Sequence, residues 1–175
     1  MALHKLTFVL GGAASGKSAL AERIVDATGK PKVYVATAQA FDDEMRQKIV
    51  AHQVSRGDGW ETVEEPYDLV GVLERQAAEA VVLVDCLTLW LTNILLAEHD
   101  LDAEFDRLIE ALESRGSELV LVSNEVGQGI VPDNALSRRF RAAQGRLNQK
   151  VAASADTVTA VLAGLPVALK GEIPV

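Results

Sequence analysis

The stretch of sequence that decides the fold is residues 5–27, KLTFVLGGAASGKSALAERIVDA. Residues 5–10 form a short apolar run that ends at a pair of glycines, which is typical of a buried strand. Residues 17–27 carry apolar side chains at helical spacing and are followed by Gly-Lys-Pro, which ends a helix. Between them lies 11-GGAASGKS-18, which matches the pattern G-x-x-x-x-G-K-[ST]. The sequence therefore predicts a phosphate-binding turn between a strand and a helix.

Each residue type in this turn suits a triphosphate. Glycines let backbone N–H groups turn inward, and the helix N-terminus adds the positive end of its dipole. We expect Lys17 to bridge the β- and γ-phosphates and the Ser18 hydroxyl to ligate Mg²⁺. The residues expected to hold the phosphates are Gly11, Gly12, Ala13, Ala14, Ser15, Gly16, Lys17 and Ser18. The alternative is a chance glycine-rich turn, which the flanking strand and helix argue against.

Strands and helices alternate along the rest of the chain. Apolar runs predict strands at residues 5–10, 32–36, 60–63, 80–84, 118–123, 157–162 and 167–170. Helical periodicity predicts helices at 17–27, from Asp42 or Asp43 to about 56, and at 67–79, 88–98, 102–114 and 136–153. Residues 124–134 are expected to form a long loop. The pattern indicates an α/β fold with a mainly parallel sheet and helices on both faces, a P-loop NTPase fold of the RecA-like type. The length fits one nucleotide-binding domain over residues 1–175.

A carboxylate is expected at the end of a neighbouring strand, aimed at the magnesium ion. Asp85 ends the aliphatic run 81-VVLVD-85 and fits this role, because ligands of such folds bind at the carboxyl ends of the strands. The alternative is that Asp85 caps the helix that follows. Together with the turn, it predicts binding of ATP or GTP with Mg²⁺ but does not name the reaction.

Composition excludes several classes of protein. The formal net charge of −8 argues against broad nucleic-acid binding, which needs a basic face. Polar residues interrupt the most apolar stretch, 81–97, so no membrane span is expected, and the N-terminus has no signal-peptide pattern. Cys86 is the only cysteine, which rules out an internal disulfide and favours a reducing compartment. We expect a cytoplasmic protein.

Six stretches together resemble one family, the bifunctional adenosylcobinamide kinase/adenosylcobinamide-phosphate guanylyltransferase of cobalamin synthesis. They are 11-GGAASGKS-18, 34-YVATAQAFDDEM-45, 49-IVAHQVSR-56 with Trp60 after it, 84-VDCLTLWLTN-93, 122-VSNEVGQGIVP-132 and 140-FRAAQGRLNQ-149. The first of them is shared by many families, whereas the His52 segment and the NEVGxGIVP loop are far more specific. The resemblance covers almost the whole chain.

The resemblance implies two reactions in one protein, with adenosylcobinamide and a nucleotide as substrates. The first phosphorylates the aminopropanol hydroxyl of adenosylcobinamide with ATP or GTP, and the second transfers GMP from GTP to that phosphate. It implies a covalent link between GMP and His52, and a homo-oligomer, a trimer being one arrangement. Further nucleotide contacts carry over to Ala36, Thr37, Ala38, Gln53, Val54, Ser55, Arg56, Glu64 and Asp85. One departure is Ala14, where the family often carries arginine, so a charge contact is missing from the turn.

Histidine chemistry is compatible with that role for His52. A neutral imidazole can attack the α-phosphorus of GTP, and a covalent intermediate divides a difficult transfer into two easier ones. Without the resemblance, His52 reads as a packed or surface histidine. Two rival functions stay open: another P-loop small-molecule kinase without nucleotidyl transfer, and a GTP-dependent switch, against which stands the lack of an N-K-x-D motif.

The loop 123-SNEVGQGIVP-132 has two interpretations. It is expected to shape the active site or a subunit contact, the alternative being an ordinary turn. The arginines that follow it are expected to meet a phosphate or a neighbouring subunit, the alternative being a solvated helix face. These arginines are Arg138, Arg139, Arg141 and Arg146.

Overall fold

A seven-stranded sheet forms the centre of the molecule. The computed structural model describes residues 5–39 and 43–174, without the side chains of Lys48, His52 and Ser55. The strands are β1 (Leu6–Gly11), β2 (Lys32–Ala36), β3 (Trp60–Glu64), β4 (Val81–Asp85), β5 (Glu118–Asn124), β6 (Thr157–Leu162) and β7 (Leu165–Lys170). They lie in the order β3-β2-β4-β5-β1-β6-β7, and every neighbouring pair is parallel except β6 and β7. The predicted mainly parallel sheet is confirmed.

Helices cover both faces of this sheet. They are α1 (Lys17–Ala27), α2 (Asp43–Arg56), α3 (Leu69–Glu74), α4 (Leu87–Leu96), α5 (Leu101–Glu113) and α6 (Ala135–Ser154). Alternate residues of β4 enter two separate cores: Val82 and Val84 pack with α3, α4, α5 and α6, whereas Val81 and Leu83 pack with α1. This alternation follows from the two-residue period of a strand, and it explains why the central strands are apolar throughout.

Two predicted boundaries are wrong. The helix expected over 67–79 is α3, which begins later because the Asp68 side chain accepts a hydrogen bond from the Gly71 amide and acts as its N-cap. It ends at Glu74, and a tight turn in which the Ala80 amide donates to the Ala77 carbonyl (3.1 Å) leads into β4. The last strand begins at Leu165 instead of 167, since a two-residue turn pairs it with Leu162 directly.

The strand order brings three strand ends to one edge of the sheet. β5 lies between β1 and β4, with Gly11 opposite Asn124 and Asp85 opposite Val122. The predicted phosphate-binding turn and the predicted magnesium ligand therefore share the carboxyl edge, where ligands of parallel sheets bind. None of the helices in the described ranges is long and apolar enough to cross a bilayer.

Candidate active site

The turn between β1 and α1 has the geometry of an anion cradle. Gly16 takes the N-cap position of α1 with φ of 95°, a left-handed conformation that glycine adopts without a Cβ clash. Because a glycine offers no side chain to cap the helix, the first amides of α1 remain available for a ligand. The Lys17 ammonium donates to the Gly12 carbonyl (3.0 Å), so it already lies over the loop. Ala14 also has a positive φ, 54°.

A turn from the far end of the chain supports this cradle. Gly164, in the β6–β7 turn, donates its amide to the Ser15 carbonyl (2.8 Å). A Cβ at Gly16 would lie 3.2 Å from the Gly164 Cα, tighter than an ordinary contact. The two segments therefore pack with little spare room. Gly164 is a site residue that the sequence did not predict, because nothing local in the sequence links the two segments.

Asp85 and Ser18 face one cavity of about 180 Å³ beside the turn. Its lining residues come from the start of α1, from β2 and the residues after it, from the end of β4, and from α2 and α4: Ser18, Tyr34, Ala36, Ala38, Met45, Ile49, Gln53, Arg56, Asp85 and Leu89. The alternative role of Asp85 as a helix cap does not apply, since Cys86 takes the N-cap position of α4. A hydroxyl and a carboxylate on one cavity are the oxygen donors that Mg²⁺ prefers.

The segment after β2 is fixed by buried hydrogen bonds. The Thr37 hydroxyl donates to the Cys86 carbonyl (2.7 Å) and accepts from the Cys86 amide (3.0 Å). The Asn93 side-chain amide donates to the Thr37 carbonyl (2.8 Å). Thr37 is fully buried, so its hydroxyl serves this junction, whereas Ala36 and Ala38 line the cavity. The bonds hold the end of β2 against the residue that follows Asp85.

A second cavity, of about 300 Å³, continues along the inner side of α2. It is lined by Ala36, Ala38, Arg46, Ile49, Val50, Gln53 and Glu64. Gln53 thus borders both cavities, and Glu64 ends β3 opposite Ala36. Val54 is 75% exposed. His52 lies within α2, and its side chain, like that of Ser55, is outside the described part of the structure.

The loop after β5 rests on a buried polar network. The Ser123 hydroxyl donates to the Asn148 side-chain carbonyl (2.8 Å) and accepts from the Gln144 side-chain amide (3.0 Å). The Asn124 amide donates to the Thr88 hydroxyl (2.8 Å), and Asn148 donates to the Asn124 carbonyl (3.1 Å). Both main-chain groups of Asn124 are therefore held by side chains, which fixes the strand end beside the phosphate-binding turn.

Two arginines of α6 bind the loop after β5, a contact that neither sequence interpretation included. Arg141 donates to the carbonyls of Gly127 and Gly129, and Arg138 donates to the Pro132 and Asp133 carbonyls (3.0 and 2.7 Å). These two side chains fasten the loop to α6. Farther along the helix, the Arg146 guanidinium lies 3.8 Å from the Asp102 carboxylate.

Cys86 is predicted to be inert in the folded protein. Burial, and next the neighbouring Asp85 carboxylate, raise the pKa of its thiol to about 11. Since the thiolate is the reactive form, only roughly one thiol in a thousand is ionised at pH 8. We expect negligible reaction with a disulfide reagent at pH 8, and complete reaction once denaturant unfolds the chain. Rapid labelling of the native protein would contradict this burial. The raised pKa of Cys86 also makes the free energy of unfolding fall as the pH rises from about 8.5 towards 11. Over this range the thiol of the unfolded chain ionises, whereas the buried thiol of the folded chain keeps its proton.

Comparisons with known proteins place this geometry in context. The family model described as "Cobinamide kinase / cobinamide phosphate guanyltransferase" (CobU) matches residues 7–169. The bifunctional adenosylcobalamin biosynthesis protein CobP of Pseudomonas aeruginosa is 48% identical over 167 residues, covering 94% of this chain and 96% of that protein. The chain is also similar in fold to the flagellar accessory protein FlaH from Methanocaldococcus jannaschii (TM-score 0.54, 13% identity, 97% and 80% of the two chains). The RadB recombinase is similar as well (TM-score 0.50, 19% identity, 89% and 73%). The predicted P-loop NTPase fold is confirmed.

Proposed function

The chain belongs to the cobinamide kinase / cobinamide phosphate guanyltransferase family, and from that premise we propose that it catalyses two successive transfers to adenosylcobinamide. The first moves the γ-phosphoryl group of ATP or GTP to the aminopropanol hydroxyl. The second moves GMP from GTP to the new phosphate, giving adenosylcobinamide-GDP and pyrophosphate. The observation that carries the proposal is that Ser18 of the phosphate-binding turn and Asp85 of β4 line the same cavity.

In the kinase step, the chain's own contribution is to hold the triphosphate and stabilise charge. The first amides of α1 and the Lys17 ammonium donate to phosphate oxygens, which gain negative charge as the bond to the γ-phosphorus breaks. The acceptor hydroxyl attacks the γ-phosphorus in line, the bond from that phosphorus to the bridging oxygen breaks, the nucleoside diphosphate leaves, and the hydroxyl proton is released to solvent. Ser18 and Asp85 would hold Mg²⁺, which supplies further neutralisation of the phosphate charge when bound.

In the guanylyl transfer, His52 is the proposed nucleophile. A neutral ring nitrogen attacks the α-phosphorus of GTP, the bond to the bridging oxygen breaks, and pyrophosphate leaves. The phosphate of the corrinoid then attacks the same phosphorus, the nitrogen–phosphorus bond breaks, and His52 is regenerated. The position of His52 in α2 supports this proposal, because other side chains of that helix line the cavity beside the turn.

Several of the remaining proposed nucleotide contacts line one or both of the two cavities. Arg56 lines the first cavity, and its positive charge suits phosphate oxygens. Glu64, the last residue of β3, lines the second cavity. Ala36 and Ala38 border both. Val54 and Ser55 are proposed from the family alone. The two cavities therefore differ in their proposed charged contact, a guanidinium on the first and a carboxylate on the second.

We also propose that the protein works as a homo-oligomer in the cytoplasm, a trimer being one arrangement. Support for a subunit contact comes from exposed apolar side chains on the loop after β5, where Ile130 is 95% and Val131 65% exposed. A buried, unpaired cysteine suits a reducing compartment.

Two labelled forms of GTP test the reaction. With label on the γ-phosphate, we expect labelled adenosylcobinamide phosphate. With label on the α-phosphate, we expect labelled adenosylcobinamide-GDP together with release of unlabelled pyrophosphate. A P-loop kinase without nucleotidyl transfer would move only the γ-label to the corrinoid. Failure of the α-label of GTP to reach the corrinoid, together with failure of a γ-label supplied on either GTP or ATP, would overturn the proposed function.

A further inference from the structure

Tyr34 is a buried tyrosine that touches two residues of the site and has no role in the mechanism above. On β2 it lies opposite Leu83 of β4, and Asp85 is two residues farther along the same face of that strand. Tyr34 and Asp85 line the same cavity, and the Tyr34 hydroxyl is near enough to the Asp85 carboxylate for the two groups to interact. A tyrosine hydroxyl carries its proton at neutral pH, so it can donate a hydrogen bond to a carboxylate oxygen.

The ring of Tyr34 carries Arg56 on its face. The Arg56 guanidinium carbon lies 3.4 Å from the ring centroid, a close cation–π contact. Arg56 is the last residue of α2, so the stack joins the end of this helix to the sheet. One terminal nitrogen of Arg56, Nη1, is buried and has no hydrogen-bond partner among the described residues. A buried N–H group without an acceptor is costly, and an anion in the adjoining cavity would supply that acceptor.

Resting on the proposed function, we propose that Tyr34 is a positioning residue that holds two nucleotide-site groups at once. Its hydroxyl orients the Asp85 carboxylate beside Ser18, where the carboxylate is to receive magnesium. Its ring holds the Arg56 guanidinium against the cavity, with Nη1 left for a phosphate oxygen of the nucleotide. A tyrosine that served only the core would need neither contact, because Phe or Leu would fill the same volume.

Two substitutions separate these contacts. Tyr34→Phe keeps the ring and removes only the hydroxyl, so it should affect magnesium and spare Arg56. We expect the Mg²⁺ concentration that half-saturates GTP binding to rise about tenfold or more, as is usual when the partner of a metal ligand is lost. GTP affinity in EDTA should stay at the wild-type value. Tyr34→Leu also removes the platform for Arg56, so it should weaken GTP binding in EDTA as well.

Binding is measured directly, by equilibrium titration of each purified variant with GTP in EDTA and at a series of Mg²⁺ concentrations. Trp60 offers an internal signal, since its ring lies edge-on to Tyr34 with centroids 6.2 Å apart. Thermal unfolding of every variant shows whether the core is intact. A merely structural role would lower the unfolding midpoint and leave the ratio of the two GTP affinities unchanged.

The double variant Tyr34→Leu/Arg56→Ala completes the test. If Tyr34 acts through Arg56, the loss in EDTA should be no greater than for Arg56→Ala alone, because both changes remove one interaction. Fully additive losses would overturn the ring half of the proposal, and a wild-type Mg²⁺ response in Tyr34→Phe would overturn the hydroxyl half. Should Tyr34→Leu fail to fold, the Tyr34→Phe titration decides the hydroxyl half and Arg56→Ala decides the ring half, which a wild-type GTP affinity of Arg56→Ala in EDTA would overturn. A wild-type chain that binds no GTP would instead contradict the proposed function.

Discussion

Substituting Lys17 by alanine is expected to lower both the kinase and the guanylyltransferase activity by at least about 100-fold, the usual effect of removing a donor that stabilises transition-state charge. Lys17 opens α1, and its ammonium lies over the loop, held by the Gly12 carbonyl. Both proposed reactions break a phosphate bond of a triphosphate gripped by the same turn. Steady-state kcat/KM for each reaction, measured with GTP as the only nucleotide, checks the result.

A matched variant controls for the loss of charge. Lys150→Ala removes an equal charge from α6, where the lysine makes an exposed pair with Asp106 (2.7 Å) and no other ion pair within residues 5–39 and 43–174. Such pairs contribute little to stability, so this variant should keep both activities. Loss of the kinase reaction alone in Lys17→Ala would show that the guanylyl transfer uses a different nucleotide site.

Substituting His52 by alanine is expected to abolish GMP transfer while the kinase reaction stays within about tenfold of wild type. Removing the nucleophile removes the covalent route, whereas phosphoryl transfer to the corrinoid hydroxyl needs only the phosphate-binding turn and the acceptor. The wild-type chain incubated with α-labelled GTP should retain label after denaturation, and His52→Ala should retain none. The label should be lost in acid and survive in base, as expected of a phosphoramidate.

His99 is the matched control for this experiment. It stacks on Tyr67 with ring centroids 6.2 Å apart, and its Nδ1 lies 3.7 Å from Glu104, so its surroundings are structural. His99→Ala should label like the wild type. Label that persists in His52→Ala would remove His52 from the mechanism and favour another acceptor on the chain.

The parts of the fold that depend on local pattern could be predicted from the sequence. The strand, turn and helix around residues 11–18 follow from a short apolar run, glycines and helical spacing, all within one segment. The strand order could not be predicted, because the pairing of β1 with β5 depends on contacts between distant segments. The length of α3 was predicted wrongly for a local reason, because the Asp68 cap and the turn before β4 override a longer helical pattern.

The site divides in the same way. That Ser18 and Asp85 lie at one site could be predicted, Ser18 from the G-x-x-x-x-G-K-[ST] pattern and Asp85 from its position at the end of a strand. Tyr34 was missed because a tyrosine within an apolar strand is typical of a core residue. Its proximity to Asp85 and Arg56 is visible only in the structure. The role of Arg141 was missed because its acceptors are main-chain carbonyls of the loop, which leave no mark on the sequence.

Hydrogen–deuterium exchange of the segment around residues 11–18 tests most directly whether its main-chain amides grip a triphosphate. Amides that donate to phosphate oxygens exchange more slowly, so GTP with Mg²⁺ should protect a peptide covering this turn in the wild type. The same GTP concentration should protect it much less in Lys17→Ala. Unchanged exchange across the turn at saturating GTP, with protection confined to another segment, would contradict the account.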